Sequence, residues 1–154
     1  MIEYKDIRSV HLEISTRCNA ACPECPRNFR GVDIIDTYPV TDMSLEQAKT
    51  IFTPDFLQQL DNILINGNYG DFITARDGLA IVEYFKETNP NLRIEISTNA
   101  SGRPNWWKRL GELGVIIDFR IDGLEDTHQL YRQYTDFNLI LDNAKKFILA
   151  GGDA

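Results

Sequence analysis

The chain has 154 residues, 43% of them hydrophobic and 25% charged, which suits one folded domain burying about 70% of the surface its unfolded chain exposes and excludes disordered, collagen-like and coiled-coil classes. Sixteen basic against 23 acidic residues give a formal net charge of −7, which makes a nucleic-acid backbone a disfavoured partner. The opening Met1-Ile2-Glu3-Tyr4-Lys5-Asp6 lacks the pattern of a secretory signal, and no apolar run reaches the roughly 20 residues that span a bilayer, so a cytoplasmic protein without membrane insertion is expected.

Short β-branched runs alternate with longer amphipathic stretches, the rhythm of βα units. A first strand is expected over 10–15, followed by a cysteine-bearing loop and a long segment over 29–42 that reads either as surface loop or as a lid. A helix is expected over 44–60, with Ser44 and Gln47 at capping-box spacing and a break at Thr53-Pro54. A strand over 62–66 precedes a helix over 74–88, which stops before Asn89-Pro90. Asn66-Gly67 at that strand's end also reads as a hairpin turn, although the residues that follow have helical period. Strand 92–97, helix 105–113 ending at Gly114, strand 115–122 and helix 136–150 ending at Gly151-Gly152 complete the pattern, with both glycine sites suited to left-handed C-caps.

Right-handed crossovers between such strands make the sheet parallel. Val10, Leu12 and Ile14 alternate with His11, Glu13 and Ser15; Leu92, Ile94 and Ile96 with Arg93, Glu95 and Ser97; Ile117, Phe119 and Ile121 with Asp118, Arg120 and Asp122. One face is apolar and the other ionisable, whereas a doubly wound sheet covered on both sides gives nearly continuous apolar strands. The expected fold is therefore α/β, a partial (β/α) barrel of about four βα units; an α/β layer with one solvated face is the alternative.

All three cysteines, Cys18, Cys22 and Cys25, follow the first strand in a C-x3-C-x2-C loop, too close together to staple distant parts of the chain. Pro23 and Pro26 disfavour a regular helix there. Three thiols in such a loop point to a soft metal centre. A closed zinc site needs a fourth ligand, for which His11 and His128 are the candidates, giving a metal-stabilised binding module. A four-iron cluster held by three thiolates instead keeps one iron open.

The C-x3-C-x2-C loop after a first barrel strand resembles the radical S-adenosylmethionine (radical SAM) superfamily. The resemblance implies a [4Fe-4S] cluster on Cys18, Cys22 and Cys25, whose open iron chelates S-adenosylmethionine. It further implies reductive cleavage to a 5′-deoxyadenosyl radical that takes a hydrogen atom from substrate. Gly67, Tyr69, Gly70 and Asp71 stand where the family carries a Gly-Gly-Glu motif, with Asp71 replacing the usual acid. Ser97 and Asn99 in Ile96-Ser97-Thr98-Asn99 are similar to its Ser/Thr-Asn strand ending. Ile121-Asp122-Gly123 with His128 and Tyr131-Arg132 resembles peptide-modifying members that carry SPASM or twitch extensions, and implies cofactor contacts by Asp122 and by Arg132, the latter to a carboxylate.

His128 is open between base and loop support. Two departures stand out: Glu24 occupies a position where the family often has an aromatic residue, and the family's barrel usually has six βα units. A core domain over 1–154 lacking the C-terminal units is thus expected, with a second polypeptide or self-association closing the sheet. An external electron donor and a peptide or small-molecule substrate are the other expected partners. Trp106 and Trp107 read as packing anchors, and Glu13, Glu95 and Arg120 as residues of the ionisable face that touch substrate or pair with one another.

Overall fold

The structure is a computed structural model that describes residues 3–31, 33–34, 39–103 and 105–154. In chain order it contains β1 (Ser9–Leu12), β2 (Asn28–Phe29), β3 (Asp33–Ile34), α1 (Leu45–Ile51), α2 (Pro54–Gln59), β4 (Asn62–Ile65), α3 (Gly78–Thr88), β5 (Arg93–Thr98), α4 (Trp107–Glu112), β6 (Ile116–Phe119), α5 (His128–Tyr131) and α6 (Phe137–Leu149). The main sheet has the order β1-β4-β5-β6 with every pair parallel. β4 therefore runs into a crossover and not a hairpin at Asn66-Gly67, whose positive φ values of 60° and 131° turn the chain away from the sheet.

The alternation read from the strands decides which face is covered. Leu12, Ile63, Ile65, Ile94, Ile96 and Ile117 are buried and join a core with Leu57, Ile81, Val82, Phe85, Trp107, Leu110 and Phe147 from the helices. On the other face, register places His11, Leu64, Glu95 and Ile116 in one row across the four strands. Helices pack on one face only, so the architecture is a partial (β/α) barrel. Trp107 is fully buried against Phe119, its indole Nε1 donating to Gly102 O at 2.9 Å.

Local chemistry sets the element ends. Ser44 and Gln47 form the reciprocal capping box of α1, at 3.2 and 2.9 Å. Thr53 caps α2 with Pro54 in its first turn, so the expected helix over 44–60 is two helices. The helix expected from residue 74 begins at Gly78, because the Asp71 carboxylate caps a separate 3₁₀ turn over Phe72–Thr74. β1 ends earlier than expected: Ile14 O accepts from Met43 N at 2.8 Å and Ser15 bridges antiparallel to Asp42. β6 also stops short, at Phe119, where Ile121 N turns back to Phe119 O at 2.9 Å.

Two elements are absent from the periodicity reading. One is the β2–β3 hairpin inside the segment expected as a loop over 29–42, part of which, residues 32 and 35–38, lies outside the described residues. The other is α5, a single turn with no amphipathic signature. After α6 the chain returns to the sheet: Ile117 N donates to Asp153 O at 2.9 Å in a parallel bridge beside β6. Among the described residues no helix is long and apolar enough to cross a membrane.

The α4–α6 contact depends on Gly111, where a Cβ would lie 2.4 Å from Phe147 O and 2.8 Å from the Ala150 Cβ. Gly111→Ala should lower stability by about 2 kcal/mol, the usual cost of overpacking, in urea denaturation. Glu112→Ala one residue on, at an exposed position, should change it by less than about 0.5 kcal/mol.

Candidate functional site

Parallel strands deliver all their following loops to one edge of the sheet, and there the cysteine loop is tied down by the loops after β4 and β5. Asp71 N and Thr74 Oγ1 donate to Arg17 O at 2.7 and 2.8 Å, and Asn66 Nδ2 donates to Ser15 O at 3.1 Å. Gly70 packs so closely here that a Cβ would sit 1.8 Å from Ser15 O. That glycine is required by the chain's own backbone, a tighter constraint than the ligand approach expected from sequence. Asn19 Nδ2 donates to Ser101 O at 3.0 Å, and Ala21 N to Gln133 O at 3.2 Å, extending the ties to the β5 and β6 sides.

The three cysteines are free thiols on the wall of one cavity of about 260 Å³. Cys18 Sγ accepts from Ala20 N at 3.4 Å and Asn99 Nδ2 at 3.6 Å, and Cys22 Sγ from Arg132 Nη1 at 3.6 Å. Burial, with the Asp71 charge adding to it, pushes the Cys18 thiol up to about 12. Burial also raises Cys22, against the pull of Arg132. Cys18 and Cys22 are thus held protonated as thiols, and metal ligation must displace those protons.

Among the described residues no three His, Cys, Asp or Glu side chains converge on one ion position. Neither histidine lines this cavity. His128 is buried, with Nδ1 accepting from Asp122 N at 3.3 Å and Nε2 against Thr135 Oγ1 at 3.0 Å. His11 Nε2 lies 3.2 Å from Asn66 O and 3.2 Å from Glu13 Oε1. A closed single-ion site needs four convergent ligands; three thiols spaced around one cavity suit a polynuclear cluster, in which thiolates bind different irons.

Residues singled out from the other loops line the same cavity: Gly67, Tyr69, Gly70 and Asp71 after β4, Ser97 and Asn99 at the end of β5, and Arg132 after α5. Asp71 is buried and accepts from Ile73 N at 3.2 Å, Thr98 Oγ1 and Asn99 N at 2.8 Å. Burial raises its pKa while these bonds oppose the shift. It clamps the β4 loop to the β5 end and so fixes Asn99, whose side chain reaches Cys18 and Asn19.

Ser97 Oγ accepts from Arg120 Nε at 2.8 Å. Asp122 is outside the cavity lining and holds Arg132 Nε from behind. Glu24 is part of the wall. Two further wall residues escaped the sequence reading: Thr98, the partner of Asp71, and Arg27, whose Nε donates to Thr16 O at 3.0 Å. A cation two residues past the third cysteine is the signal that points to Arg27.

Glu13, Glu95 and Arg120 do not pair with one another. Glu13 meets His11 and accepts from Asn68 N at 2.9 Å, Glu95 pairs with Arg93 at 2.8 Å, and Arg120 with Asp118 at 2.8 Å. Each carboxylate is matched to a neighbour on its own strand, because residues two apart share a face. A second cavity of about 350 Å³ on this open face, bordered by His11, Glu95 and Arg120, shares Gly67, Asn68 and Ser97 with the thiol cavity.

The close approach at Gly70 makes Gly70→Ala a test of the loop tie: it should cost about 3 kcal/mol in urea denaturation, the upper end for overpacking. His128 tests the other side. Burial and the Arg132 charge hold its pKa below the ordinary 6.5, so the unfolded chain takes up the proton first. Stability should therefore fall as pH drops below 6.5, and His128→Gln should flatten that part of a melting-temperature profile.

No protein-family model matches the chain. It is 27% identical over 110 residues to the FeMo cofactor biosynthesis protein NifB of Methanocaldococcus jannaschii, covering 69% of this chain and 36% of that protein. Its fold is similar to that of anSMEcpe solved with bound AdoMet (TM-score 0.70, 17% identity, 96% of this chain and 41% of that one). It is also similar to BtrN in complex with AdoMet and 2-DOIA (TM-score 0.55, 22% identity, 72% and 45%). A third likeness is to the FeFe-hydrogenase maturase HydG from Carboxydothermus hydrogenoformans (TM-score 0.60, 18% identity, 93% and 34%). The chain spans between about a third and just under half of the length of these proteins. Its parallel half-barrel with the cysteine loop after the first strand is thus a fold shared with these solved structures, and its sequence is similar to part of NifB.

Proposed function

We propose that this chain is the N-terminal core of a radical SAM enzyme. The observation that carries the proposal is that three thiols and the polar ends of three other loops line a single cavity. Cys18, Cys22 and Cys25 would hold a [4Fe-4S] cluster, leaving one iron without a protein ligand. When bound, cluster and S-adenosylmethionine supply one-electron cleavage of the sulfonium to a hydrogen-abstracting 5′-deoxyadenosyl radical.

The chain's own residues bind and orient. The backbone of Gly67 lets ligand atoms come close to the β4 loop, while Tyr69 and Glu24 line the same cavity. Ser97 and Asn99 offer short hydroxyl and amide groups at the β5 end, with Asn99 pinned by the Asp71 carboxylate. Arg132, backed by Asp122, presents a guanidinium suited to a carboxylate. His128 supports the Asp122 backbone and the Thr135 hydroxyl from behind the cavity and takes no part in proton transfer inside it.

Substrate, peptide or small molecule, would occupy the adjoining cavity on the open face of the sheet, with an external protein or small-molecule reductant supplying electrons. The anSMEcpe structures include one with a bound peptide and BtrN was solved with 2-DOIA, which supports both substrate classes. The edge beside β6, where Asp153 has begun to pair, would be continued by further βα units or a second polypeptide.

Anaerobic reconstitution of the chain with iron and sulfide should give about four irons per chain. Incubation with S-adenosylmethionine and dithionite should release 5′-deoxyadenosine, and Cys22→Ser should abolish both. Protein that takes up zinc but neither iron nor sulfide would sink the proposal.

A further inference from the structure

Cys18, Cys22 and Cys25 stand in unequal surroundings. Cys18 receives two neutral N–H groups, from Ala20 and Asn99, whereas buried Cys22 receives a cation, Arg132 Nη1 at 3.6 Å. Among the described residues no N–H is directed at the Cys25 sulfur. The guanidinium is held at three points: Nε on the Asp122 carboxylate, Nη1 on the sulfur, and Cζ over the Tyr131 ring, 5.3 Å from its centre. Its backbone is anchored as well, with Arg132 N donating to His128 O at 2.9 Å and Arg132 O accepting from Thr135 Oγ1 at 2.6 Å. The same histidine ring fixes Asp122 N and Thr135 Oγ1. A long cationic side chain is thereby aimed at a cysteine sulfur.

We propose that Arg132, positioned by Asp122, sets the reduction potential of the cluster held at Cys22, in addition to any contact it makes with a bound carboxylate. This rests on the cluster assignment proposed above. Reduction adds one electron to a cluster already ligated by three thiolates, and a fixed cation with an N–H on sulfur favours the more negative state. The potential is therefore higher with Arg132 in place than without it. The neutral donors on Cys18 act in the same direction with less force, because hydrogen bonds from charged groups are roughly twice as strong as neutral ones.

The test uses the full chain, reconstituted anaerobically, with iron and sulfide measured first and the potential then read by an electron-spin-resonance-monitored dithionite titration without S-adenosylmethionine. Arg132→Gln should keep iron and sulfide and lower the reduction equilibrium constant at least tenfold, about 59 mV for one electron. Arg132→Lys retains the charge but cannot place separate nitrogens on Asp122 and Cys22, and should fall between the two. Arg76→Gln, which removes an exposed arginine outside the cavity, should leave the potential at the wild-type value.

A wild-type potential in Arg132→Gln overturns the inference, as does an equal shift in Arg76→Gln. Should Arg132→Gln take up no iron, Arg132→Lys decides: a lowered potential supports the assignment and a wild-type potential overturns it. Absence of iron and sulfide on the wild-type chain defeats the cluster assignment itself, and this inference with it.

Discussion

The site depends on four short strands running the same way. A parallel pair needs a crossover, crossovers are right-handed, and so every strand here ends at one edge of the sheet. The residues that meet in the cavity are far apart in sequence, Cys22 and Arg132 by 110 positions, and share no local signal that would bring them together. Strand direction does it. The apolar face, anchored by Ile63, Ile65, Ile94 and Ile96 with essentially no exposure, fixes which side the helices occupy and leaves the ionisable side open.

Holding the loops at that edge is left to a few buried polar groups. Asp71 is a carboxylate in the interior with no ion-pair contact among the described residues, made tolerable by three N–H and O–H donors. A buried group of this kind costs several kcal/mol if its partners are lost, which is why it ties the β4 and β5 loops firmly. Gly70 completes the tie by letting the Ser15 carbonyl approach where any side chain would block it. The cysteine loop thus takes its shape from neighbouring loops, with Pro23 and Pro26 keeping it from becoming a helix.

The α5 region is organised in the same way around His128. A neutral ring, accepting at Nδ1 and bonded at Nε2, joins the turn after β6 to the turn after α5. Arg132 projects from this support between Asp122 and Cys22, so the cation nearest the Cys22 sulfur is supplied from the α5 side. Asymmetry among the thiols follows from the loops they face: the β5 loop offers amides, and the α5 loop offers a cation.

Much of this was legible in the chain itself. The period-two alternation of β1, β5 and β6 identified the covered face, the capping box at Ser44 and Gln47 and the break at Thr53-Pro54 marked helix boundaries, and the C-x3-C-x2-C spacing singled out the thiols that line the cavity, because each is a local pattern with a local physical cause. What the chain did not disclose was decided by contacts between distant residues. That Asp71 spends its lone pairs on Thr98, Asn99 and Ile73, that Asp122 stands behind Arg132 and outside the cavity, and that Glu95 meets Arg93 while Arg120 meets Asp118 are facts of side-chain packing. Residue type and spacing determined which side chains the cavity can offer. Only the tertiary structure decided which atom faces which, since a hydrogen bond is set by a few tenths of an ångström and periodicity carries no such information.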